Sequence, residues 1–499
     1  MYQLNIQLSS VYFYLAIVLI VILGCNKTAS IAPVEEEDKS LVFQTFFLEK
    51  KKNPDLGADV VFDIQDNTIT GQLNHHNFKV IPTFTTNAQS VEINEVKQLS
   101  GTSLVDFREN IVYTLKSASG TSKRYSIKID WDDNLPHFYI STDGGVPVIS
   151  KRQYVPATIT LEGQLKYEGY TGTAQIRGRG NTTWTYPKKP FKFKLDEDAS
   201  ILGLKEEKDW ILLANYLDRT HLLNAVGMKI GQLLQMPYTN TVIPVEVTLN
   251  GTYLGAYMLT EQIEVKPNRV NVGEDGILLN LDTNFDELWQ FLSNSYKLPV
   301  TVKYPKQMNS SKLAAIKQEF EELEKLVVDA SFPNNKYLDL LDAQSIANYL
   351  ITYMFTGNEE INHPKSTYLH KTSSGKFAMG PIWDFDWAFA YEGSLEHFVK
   401  FDRPLFWSNS AKGTQFFSKF LSDPEIKSLI KKNWADFHDN HLPELFSYID
   451  EYAFIIKGAK SRDFEKWRQG NNNQFEELAK LKSWLRFRAS YMNNYVNQL

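Results

Sequence analysis

The chain of 499 residues contains one cysteine, Cys25. It can therefore form no intramolecular disulfide and no thiolate metal cluster, so the burial of apolar side chains must stabilise its fold. The composition suits this, with 43% hydrophobic residues that include 31 Phe, 25 Tyr and 10 Trp. A chain of this length is expected to form about two to four domains. The net charge of −6 gives no electrostatic reason to expect a nucleic-acid partner.

Cys25 follows an apolar run over residues 11–23. The run is shorter than the roughly 20 residues that span a bilayer, and it is typical of the apolar region of a signal peptide. Residues 22–25 read Ile-Leu-Gly-Cys, which resembles the lipobox of bacterial lipoproteins. We therefore expect residues 1–24 to be a signal peptide and Cys25 to be lipidated and to anchor the protein in a membrane. A buried N-terminal helix that ends in a free cysteine is the alternative.

Residues 25–40 contain Pro33 and an acidic cluster over residues 35–38. Such a segment buries little apolar area, which predicts a solvated tether. An acidic cluster close behind a lipidated cysteine also resembles the surface-export signals of some Gram-negative lipoproteins, although a plain acidic tether explains it equally well. We expect an exported, membrane-anchored lipoprotein of the outer membrane or cell surface.

Residues 41–130 consist of short β-rich runs separated by turn residues. Several of these runs alternate apolar and polar residues, as half-buried strands do. The pattern predicts an N-terminal immunoglobulin-like β-sandwich, which would act as a spacer or a weak binding module. The runs lie at residues 60–64, 79–84, 91–93, 111–115 and 125–129.

From residue 131 to residue 499 the strand-like runs come first and the helix-like runs come later. Apolar residues recur at helical spacing, with charged residues between them, in several segments. This order predicts the α+β class with a helical C-terminal portion. The segments are residues 312–328, 343–355, 416–421 and 475–495.

A glycine-rich turn over residues 177–181 reads Arg-Gly-Arg-Gly-Asn and leads into a basic strand. In this strand Lys192 and Lys194 share one face, while Phe191 and Phe193 pack on the other. Backbone N–H groups of a glycine turn can approach phosphate oxygens, and a lysine on the next strand can neutralise them. An ordinary turn with a solvated lysine face is the alternative.

Three further clusters follow in the chain. Residues 210–220 read WILLANYLDRT, and residues 245–261 contain Asn250-Gly251 between two alternating runs, which predicts a β-hairpin. Residues 380–387 read GPIWDFDW, with Asp384 and Asp386 two positions apart. On an extended segment these two side chains project to the same side, which suits binding of a hard cation through oxygen.

The order and spacing of the four clusters resemble the CotH kinase family, named after spore coat protein H. The resemblance covers roughly residues 131–499. It implies a divergent protein-kinase-like fold that binds ATP together with a divalent metal ion, Mg²⁺ or Mn²⁺. It also implies transfer of phosphate to protein hydroxyl groups.

The resemblance assigns roles to particular residues. The turn over residues 177–181 would cover the triphosphate, and one lysine of the basic strand would contact its oxygens. Asp384 or Asp386 would bind the metal ion, and metal binding could be shared between them. Glu261 matches a glutamate of the family at the end of the hairpin strand, although an ordinary surface glutamate explains it too. The nucleotide-binding residues implied are Arg177, Gly178, Arg179, Gly180, Asn181, Lys189, Lys192, Lys194 and Glu261.

The catalytic segment, residues 358–368, departs from the family pattern. Related kinases carry an Asp that orients the acceptor hydroxyl and, a few residues later, an Asn that binds metal. Here Glu360 is the candidate for the place of the catalytic Asp, and Ser366 stands near the position of the Asn. Glu reaches one methylene further than Asp, and a misplacement of about 1 Å can cost roughly a hundredfold in rate. In another register Asn362 occupies the Asp position, where its amide could not act as a base.

Two functions therefore stay open at the level of sequence. The first is an extracytoplasmic ATP-dependent protein kinase. The second is a catalytically degraded scaffold for adhesion or for binding a glycan or protein, which the departures at Glu360 and Ser366 favour. The acceptor protein or surface ligand is unknown from the sequence. His438 and His441 lack a third placed ligand and are interpreted as surface residues, not as a zinc site.

Overall fold

The computed structural model describes residues 37–499, apart from residues 165, 286 and 394–395. The signal peptide, Cys25 and most of the tether lie outside the described residues. The chain divides into two compact units. The N-terminal unit comprises the described residues through Lys52, Asp59–Gly71 and Lys79–Ile129, and the C-terminal unit comprises Asn53–Ala58, Gln72–Phe78 and Asp130–Leu499.

The first eleven strands form three sheets, with the orders β2-β1-β6, β3-β4-β11-β10-β7-β8 and β5-β9. Side chains from the first two sheets share an aromatic core, in which the Phe43 ring lies 5.2–5.8 Å from the rings of Phe46, Phe84, Tyr113 and Tyr125. The immunoglobulin-like topology stays a prediction. The strands are β1 (Phe43–Leu48), β2 (Val60–Val61), β3 (Asp63–Gln65), β4 (Thr68–Asn74), β5 (Lys79–Val80), β6 (Pro82–Thr86), β7 (Ser90–Ile93), β8 (Val96–Lys97), β9 (Val105–Asp106), β10 (Val112–Lys116) and β11 (Ser122–Asp132).

The next seven strands form a closed barrel in the order β12-β13-β14-β15-β16-β18-β17. A parallel pairing of β12 with β17 closes it, whereas the other neighbours run antiparallel. Alternate side chains of each strand fill the interior, including the fully buried Phe193 and Trp210. The strands are β12 (His137–Thr142), β13 (Val155–Glu162), β14 (Tyr170–Gly178), β15 (Phe191–Ala199), β16 (Glu207–Leu213), β17 (Val242–Leu249) and β18 (Thr252–Glu261).

A five-stranded antiparallel sheet follows in the order β20-β21-β19-β22-β23. Its central strand β19 is buried along its whole length, so polar residues that come directly after it are brought to the edge of the core. The strands are β19 (Ile277–Leu281), β20 (Gln290–Leu292), β21 (Pro299–Tyr304), β22 (Thr367–Lys371) and β23 (Ala378–Met379).

Helices dominate the rest of the C-terminal unit and pack on this sheet in one large apolar core. Their starts follow the usual capping rules: Asn309 and Asp342 accept backbone N–H groups, and Asp423 does so ahead of Pro424. Gly357, at φ 59°, ends the third helix. The helices are α1 (Leu223–Leu233), α2 (Ser310–Val328), α3 (Ala343–Thr356), α4 (Lys412–Phe417), α5 (Pro424–Asp436), α6 (Leu442–Ile455), α7 (Lys457–Trp467) and α8 (Gln474–Gln498).

The α+β class predicted from the sequence is confirmed. The segments 312–328, 343–355 and 475–495 correspond to α2, α3 and α8. Residues 416–421 instead span the end of α4 and a 3₁₀ turn, Ser418–Ser422. Within the described part of the chain, no helix combines the length and the apolar character that crossing a bilayer requires.

Candidate active site

A cavity of about 970 Å³, partly open to solvent, collects most of the polar residues that the sequence motifs contain. It lies within the C-terminal unit, and its wall comes from five segments of the chain. These are residues 179–190, 213–224, 282–284, 360–366 and 383–387.

Asp384 and Asp386 both line this cavity. Phe385, between them, is fully buried against Gly227 of α1, where a Cβ would lie 2.5 Å from its ring. Asn224, one turn earlier on α1, accepts a hydrogen bond from the Phe385 backbone N–H (3.0 Å) and donates one to Asp386 Oδ1 (2.7 Å). Asp384 has φ 65° and its segment is not a strand, so the extended backbone expected here is absent. The packing of Phe385 and the hydrogen bonds of Asn224, rather than a strand period, hold this segment at the cavity.

The two carboxylates carry negative charge that the surrounding protein does not fully compensate. Desolvation, and then the neighbouring charge of Asp384, raise the pKa of Asp386 to about 7. A divalent cation between them would relieve that repulsion. Mg²⁺ is usually held by one or two carboxylates together with water and substrate phosphates, so this pair fits such an ion. Across the described residues, no group of three or more His, Cys, Asp or Glu side chains is placed to hold a metal ion.

Three of the five residues in the glycine-rich turn line the cavity: Arg179, Gly180 and Asn181. The guanidinium of Arg179 stacks 5.3 Å from the Trp383 ring. Desolvation lowers its pKa, and the charge of Asp384 opposes that shift. Gly180 has φ 81°, a conformation that favours glycine, and a Cβ there would lie 2.0 Å from Thr183 Oγ1.

The other two residues of the turn lie outside the cavity wall. Arg177 donates to the backbone carbonyl of Lys151 and stacks 5.1 Å from the Tyr154 ring. Gly178 is buried at the end of β14 against the ring of Trp184. The turn thus divides into a structural first part and a second part that faces the cavity.

Two lysines line the cavity, Lys188 and Lys365, and neither was predicted from the sequence. Lys188 is 1% exposed, forms an ion pair with Asp463 of α7 and donates to the carbonyl of Ala256 on β18. Desolvation lowers its pKa, and Asp463 opposes the shift. Lys188 lies before the first residue of β15. The alternation of apolar and basic residues in that strand, from which the lysine candidates were predicted, therefore does not include it.

The three lysines named from the sequence point elsewhere. Lys189 donates to the carbonyl of Trp184 (2.7 Å), and Lys192 forms an ion pair with Asp209 (2.6 Å). Lys194 is exposed on the outer face of β15. The alternation correctly placed the two phenylalanines inside the barrel, but it also turned Lys192 and Lys194 away from the cavity.

Glu360 lies in a 3₁₀ turn, Glu359–Asn362, and lines the cavity while being 3% exposed. Its Oε1 is 3.1 Å from Lys365 Nζ, and that ammonium lies 4.4 Å from the Trp387 ring centroid. Desolvation and the charge of Asp384 raise the pKa of Glu360 to about 8, against the opposing effect of Lys365. Lys365 was not selected from the sequence, because its spacing to Glu360 matches no helix or strand period.

The other two residues considered for the catalytic segment are separated by the structure. Ser366, at φ 50°, lines the cavity, and its backbone N–H lies 3.4 Å from Asp282 Oδ2. Asn362 is buried and donates from Nδ2 to the carbonyls of Glu359 and Leu405. Of the two candidates for the Asp position, Glu360 lines the cavity and Asn362 does not.

Glu261 lies at the end of β18 and lines a different, smaller cavity together with Asn240 and Arg269. Its Oε2 accepts the backbone N–H of Thr241 (2.9 Å). Burial raises its pKa. Asp282 and Asn284, which were not predicted as site residues, line the main cavity. The sequence signal for them is their position directly after the buried strand β19.

A family model described as CotH kinase protein matches residues 176–492. The match covers most of the chain and contains every cavity segment described above. The protein belongs to the CotH kinase family, and the resemblance seen in the sequence is confirmed. A search of curated proteins gave no match.

Proposed function

We propose that the protein is an extracytoplasmic kinase that transfers the γ-phosphate of ATP to protein hydroxyl groups with Mg²⁺ or Mn²⁺. The observation that carries this proposal is the single cavity in which two carboxylates, an arginine, a buried lysine and a buried glutamate converge. A divergent protein-kinase-like fold for the C-terminal unit is part of the proposal. Membership of the CotH kinase family supports it.

The nucleotide phosphates would lie against the second half of the glycine-rich turn. Gly180 and Asn181 can present backbone N–H groups, and Arg179 adds a positive charge. Lys188 is the lysine assigned to this role, because it belongs to the same wall segment as the glycine-rich turn, whereas Lys189, Lys192 and Lys194 do not line the cavity. Lys365 also lines the cavity, but it is paired with Glu360. Asp463 holds the Lys188 ammonium in place.

Asp384 and Asp386 would hold the divalent ion. When bound, the ion supplies the positive charge that lets a triphosphate approach two carboxylates. Asn224 keeps Asp386 oriented, since its amide donates to Oδ1 at 2.7 Å. Because a metal ligand must be deprotonated, ion binding would lower the raised pKa of Asp386 and release a proton near neutral pH.

Glu360 would accept the proton of the acceptor hydroxyl. The acceptor oxygen forms a bond to the γ-phosphorus, the bond from that phosphorus to the bridging oxygen of ADP breaks, and the proton moves to the Glu360 carboxylate. A pKa raised by burial makes this carboxylate a stronger base than an exposed glutamate. Lys365, 3.1 Å from Glu360, would hold the carboxylate in position.

One observation favours a second function. The position expected for a metal-binding Asn carries Ser366, whose hydroxyl is a weaker ligand than an amide oxygen, and Glu360 is already paired with Lys365. The alternative is therefore a catalytically inactive scaffold that binds a surface protein or glycan. The two functions differ in whether the cavity binds nucleotide.

Calorimetric titration of the full chain with ATP, in the presence of Mg²⁺ or Mn²⁺ and then of EDTA, distinguishes them. We expect binding that requires the metal ion and that Asp384→Asn weakens at least tenfold. Asp198→Asn, on an exposed part of β15, is the matched control and should bind as the wild type does. Well-folded wild type that binds no nucleotide would support the scaffold instead.

Export as a lipoprotein is proposed from the sequence alone, through cleavage before Cys25, with the N-terminal unit as an immunoglobulin-like spacer. Radiolabelled palmitate should enter the wild-type protein in cells. It should not enter Cys25→Ala. Label retained in Cys25→Ala would exclude this anchor.

A further inference from the structure

A second, shallower cavity of about 780 Å³ shares a wall with the main one. Asp282 and Asn284 face the main cavity, whereas Thr283 and Phe285, which alternate with them, face the second. The other part of the wall is the segment from His363 to Ser366, and the Thr283 N–H donates to the carbonyl of Pro364 (3.1 Å). A chain lying in the second cavity would thus pass beside the Glu360 turn.

This second cavity, the acceptor groove, combines apolar and basic side chains. Phe285 and Leu292 are 36% and 48% exposed, and both line this same cavity. Among its lining residues that the structure describes there are two lysines and one histidine and no carboxylate, although the whole chain carries a net charge of −6. The side chains that define it are Phe285, Leu292, Pro299, Lys297, His363 and Lys412.

The positive charge of the groove comes from its lysines. In the described part of the chain neither Lys297 nor Lys412 forms an ion pair, and Lys412 donates only to the carbonyl of Lys297 (3.3 Å). Desolvation and the charge of Lys365 lower the pKa of His363, so this histidine is mainly neutral at pH 7. Two uncompensated ammonium groups beside apolar surface favour a ligand that carries carboxylates next to apolar side chains.

The backbone indicates that this ligand is a polypeptide. Leu292 belongs to β20, which is the edge strand of its sheet and pairs only with β21 among the described strands. An edge strand presents unpaired N–H and C=O groups, to which an extended peptide can add as a further strand. A peptide bound there would place alternate side chains over the groove.

We propose that the acceptor groove binds the protein substrate, and that the substrate segment around its Ser or Thr carries Asp or Glu together with apolar side chains. This inference rests on the proposed kinase function, because it names the acceptor class of the same site. In this proposal the acceptor groove binds an acidic, partly apolar polypeptide more tightly than a basic one.

The test measures fluorescence anisotropy of labelled serine peptides with the full chain. Three peptides share Leu residues next to the Ser and differ only in having Asp, Asn or Lys at the other positions. We expect the Asp peptide to bind at least about tenfold more tightly than the Lys peptide, and the preference to weaken at high salt. The double variant Lys297→Glu/Lys412→Glu should lose or reverse it.

Lys431→Glu/Lys432→Glu, which makes the same charge change on the exposed face of α5, is the matched control and should keep the preference. A second variant, Phe285→Ser/Leu292→Ser, should lower the affinity for all three peptides by a similar factor. Equal affinity for the Asp and Lys peptides, or an unchanged preference in Lys297→Glu/Lys412→Glu, would overturn the proposal.

The same proteins are also titrated with ATP and Mg²⁺. This second measurement distinguishes a failure of the proposed kinase function from a failure of the acceptor groove. Nucleotide affinity should be unchanged in all the groove variants, because Lys297 and Lys412 lie outside the nucleotide cavity. Absence of nucleotide binding together with a groove-dependent peptide preference would refute the kinase function and retain the peptide site. Nucleotide binding without any peptide preference would refute only the groove.

Discussion

At the residue scale, Asp463 on α7 connects three groups near the site. Its carboxylate pairs with Lys188, accepts the backbone N–H of Ala256 (2.9 Å) and lies 3.4 Å from His221 Nε2. It reaches β18 because Gly255, at φ 100°, has no side chain: a Cβ there would lie 2.1 Å from Asp463 Oδ1. One carboxylate thus fixes the cavity lysine to both the barrel and the helical portion.

Removing either partner of this pair should destabilise the fold, since the other charge is then buried alone. We expect Lys188→Met and Asp463→Leu each to lower the free energy of unfolding by about 3–5 kcal/mol, measured by urea denaturation. The double variant should lose clearly less free energy of unfolding than the two single variants together, because it leaves no uncompensated charge. Strict additivity would mean that the two groups do not interact.

The raised pKa of Glu360 predicts that the free energy of unfolding of the metal-free protein depends on pH. The pKa of Glu360 is about 8 in the fold, above its ordinary value of roughly 4.3, so between these pH values the folded state binds more protons than the unfolded state. The protonated Glu360 contributes to the free energy of unfolding, and this contribution is fully present below the ordinary pKa. It is lost as the pH rises toward 8, by at most about 1.4 kcal/mol per pH unit.

The measurement is urea denaturation in EDTA between pH 4 and pH 9. Glu360→Gln cannot ionise, so its stability should fall less steeply with pH than that of the wild type, and the two should agree at the acidic end. Glu465→Gln, on the exposed face of α7, serves as the control and should follow the wild type. Parallel wild-type and Glu360→Gln curves would show that Glu360 titrates normally.

At the element scale, residue patterns within one segment predicted the features that depend on the backbone geometry of that segment. The alternation in residues 191–195 gave the inward face of β15, and Asn250-Gly251 marked the turn between β17 and β18. Each of these features is fixed by the period of a strand or by the conformation of a turn.

Contacts between distant segments were out of reach of those patterns. The parallel pairing of β12 with β17, which closes the barrel, joins residues more than a hundred positions apart in the chain. The selection of Lys188 over its neighbours depends on Asp463, and the pairing of Glu360 with Lys365 depends on an irregular loop. A single sequence contains no periodicity that reports such pairings.

Helix α1 supports the metal-binding segment through a glycine. Gly227 faces the ring of Phe385, so Gly227→Ala should displace Phe385 and with it both carboxylates. Overpacking costs about 1–3 kcal/mol, which exceeds the gain of about 1 kcal/mol from the better helix propensity of Ala. We expect a lower free energy of unfolding and weaker metal-dependent ATP binding.

Urea denaturation and calorimetry measure the two effects. Ser428→Ala, on the exposed face of α5, introduces a small side-chain change without such a contact and should leave both quantities unchanged. Unaltered ATP binding by Gly227→Ala would show that the position of Phe385 does not control the carboxylates.

At the scale of the whole molecule, the C-terminal unit is not continuous in sequence. It includes Gln72–Phe78, ahead of its main part, which begins at Asp130. The His75 ring lies 4.4 Å from Phe454 of α6 and 5.5 Å from Trp131, and the Phe78 ring lies 5.7 Å from Phe454. Residues from within the predicted β-sandwich segment therefore pack against α6.

A fragment of residues 131–499 should accordingly fold but be less stable than residues 37–499. It retains every residue of the nucleotide cavity, so its affinity for ATP and Mg²⁺ should persist at low temperature. It loses the contacts of His75 and Phe78 with Phe454, and losses of buried aromatic contacts cost about 3–5 kcal/mol. The thermal midpoint should fall, and His75→Ala/Phe78→Ala in residues 37–499 should reproduce much of that fall. Equal midpoints for the two fragments would show that Gln72–Phe78 contributes nothing to the stability of the C-terminal unit.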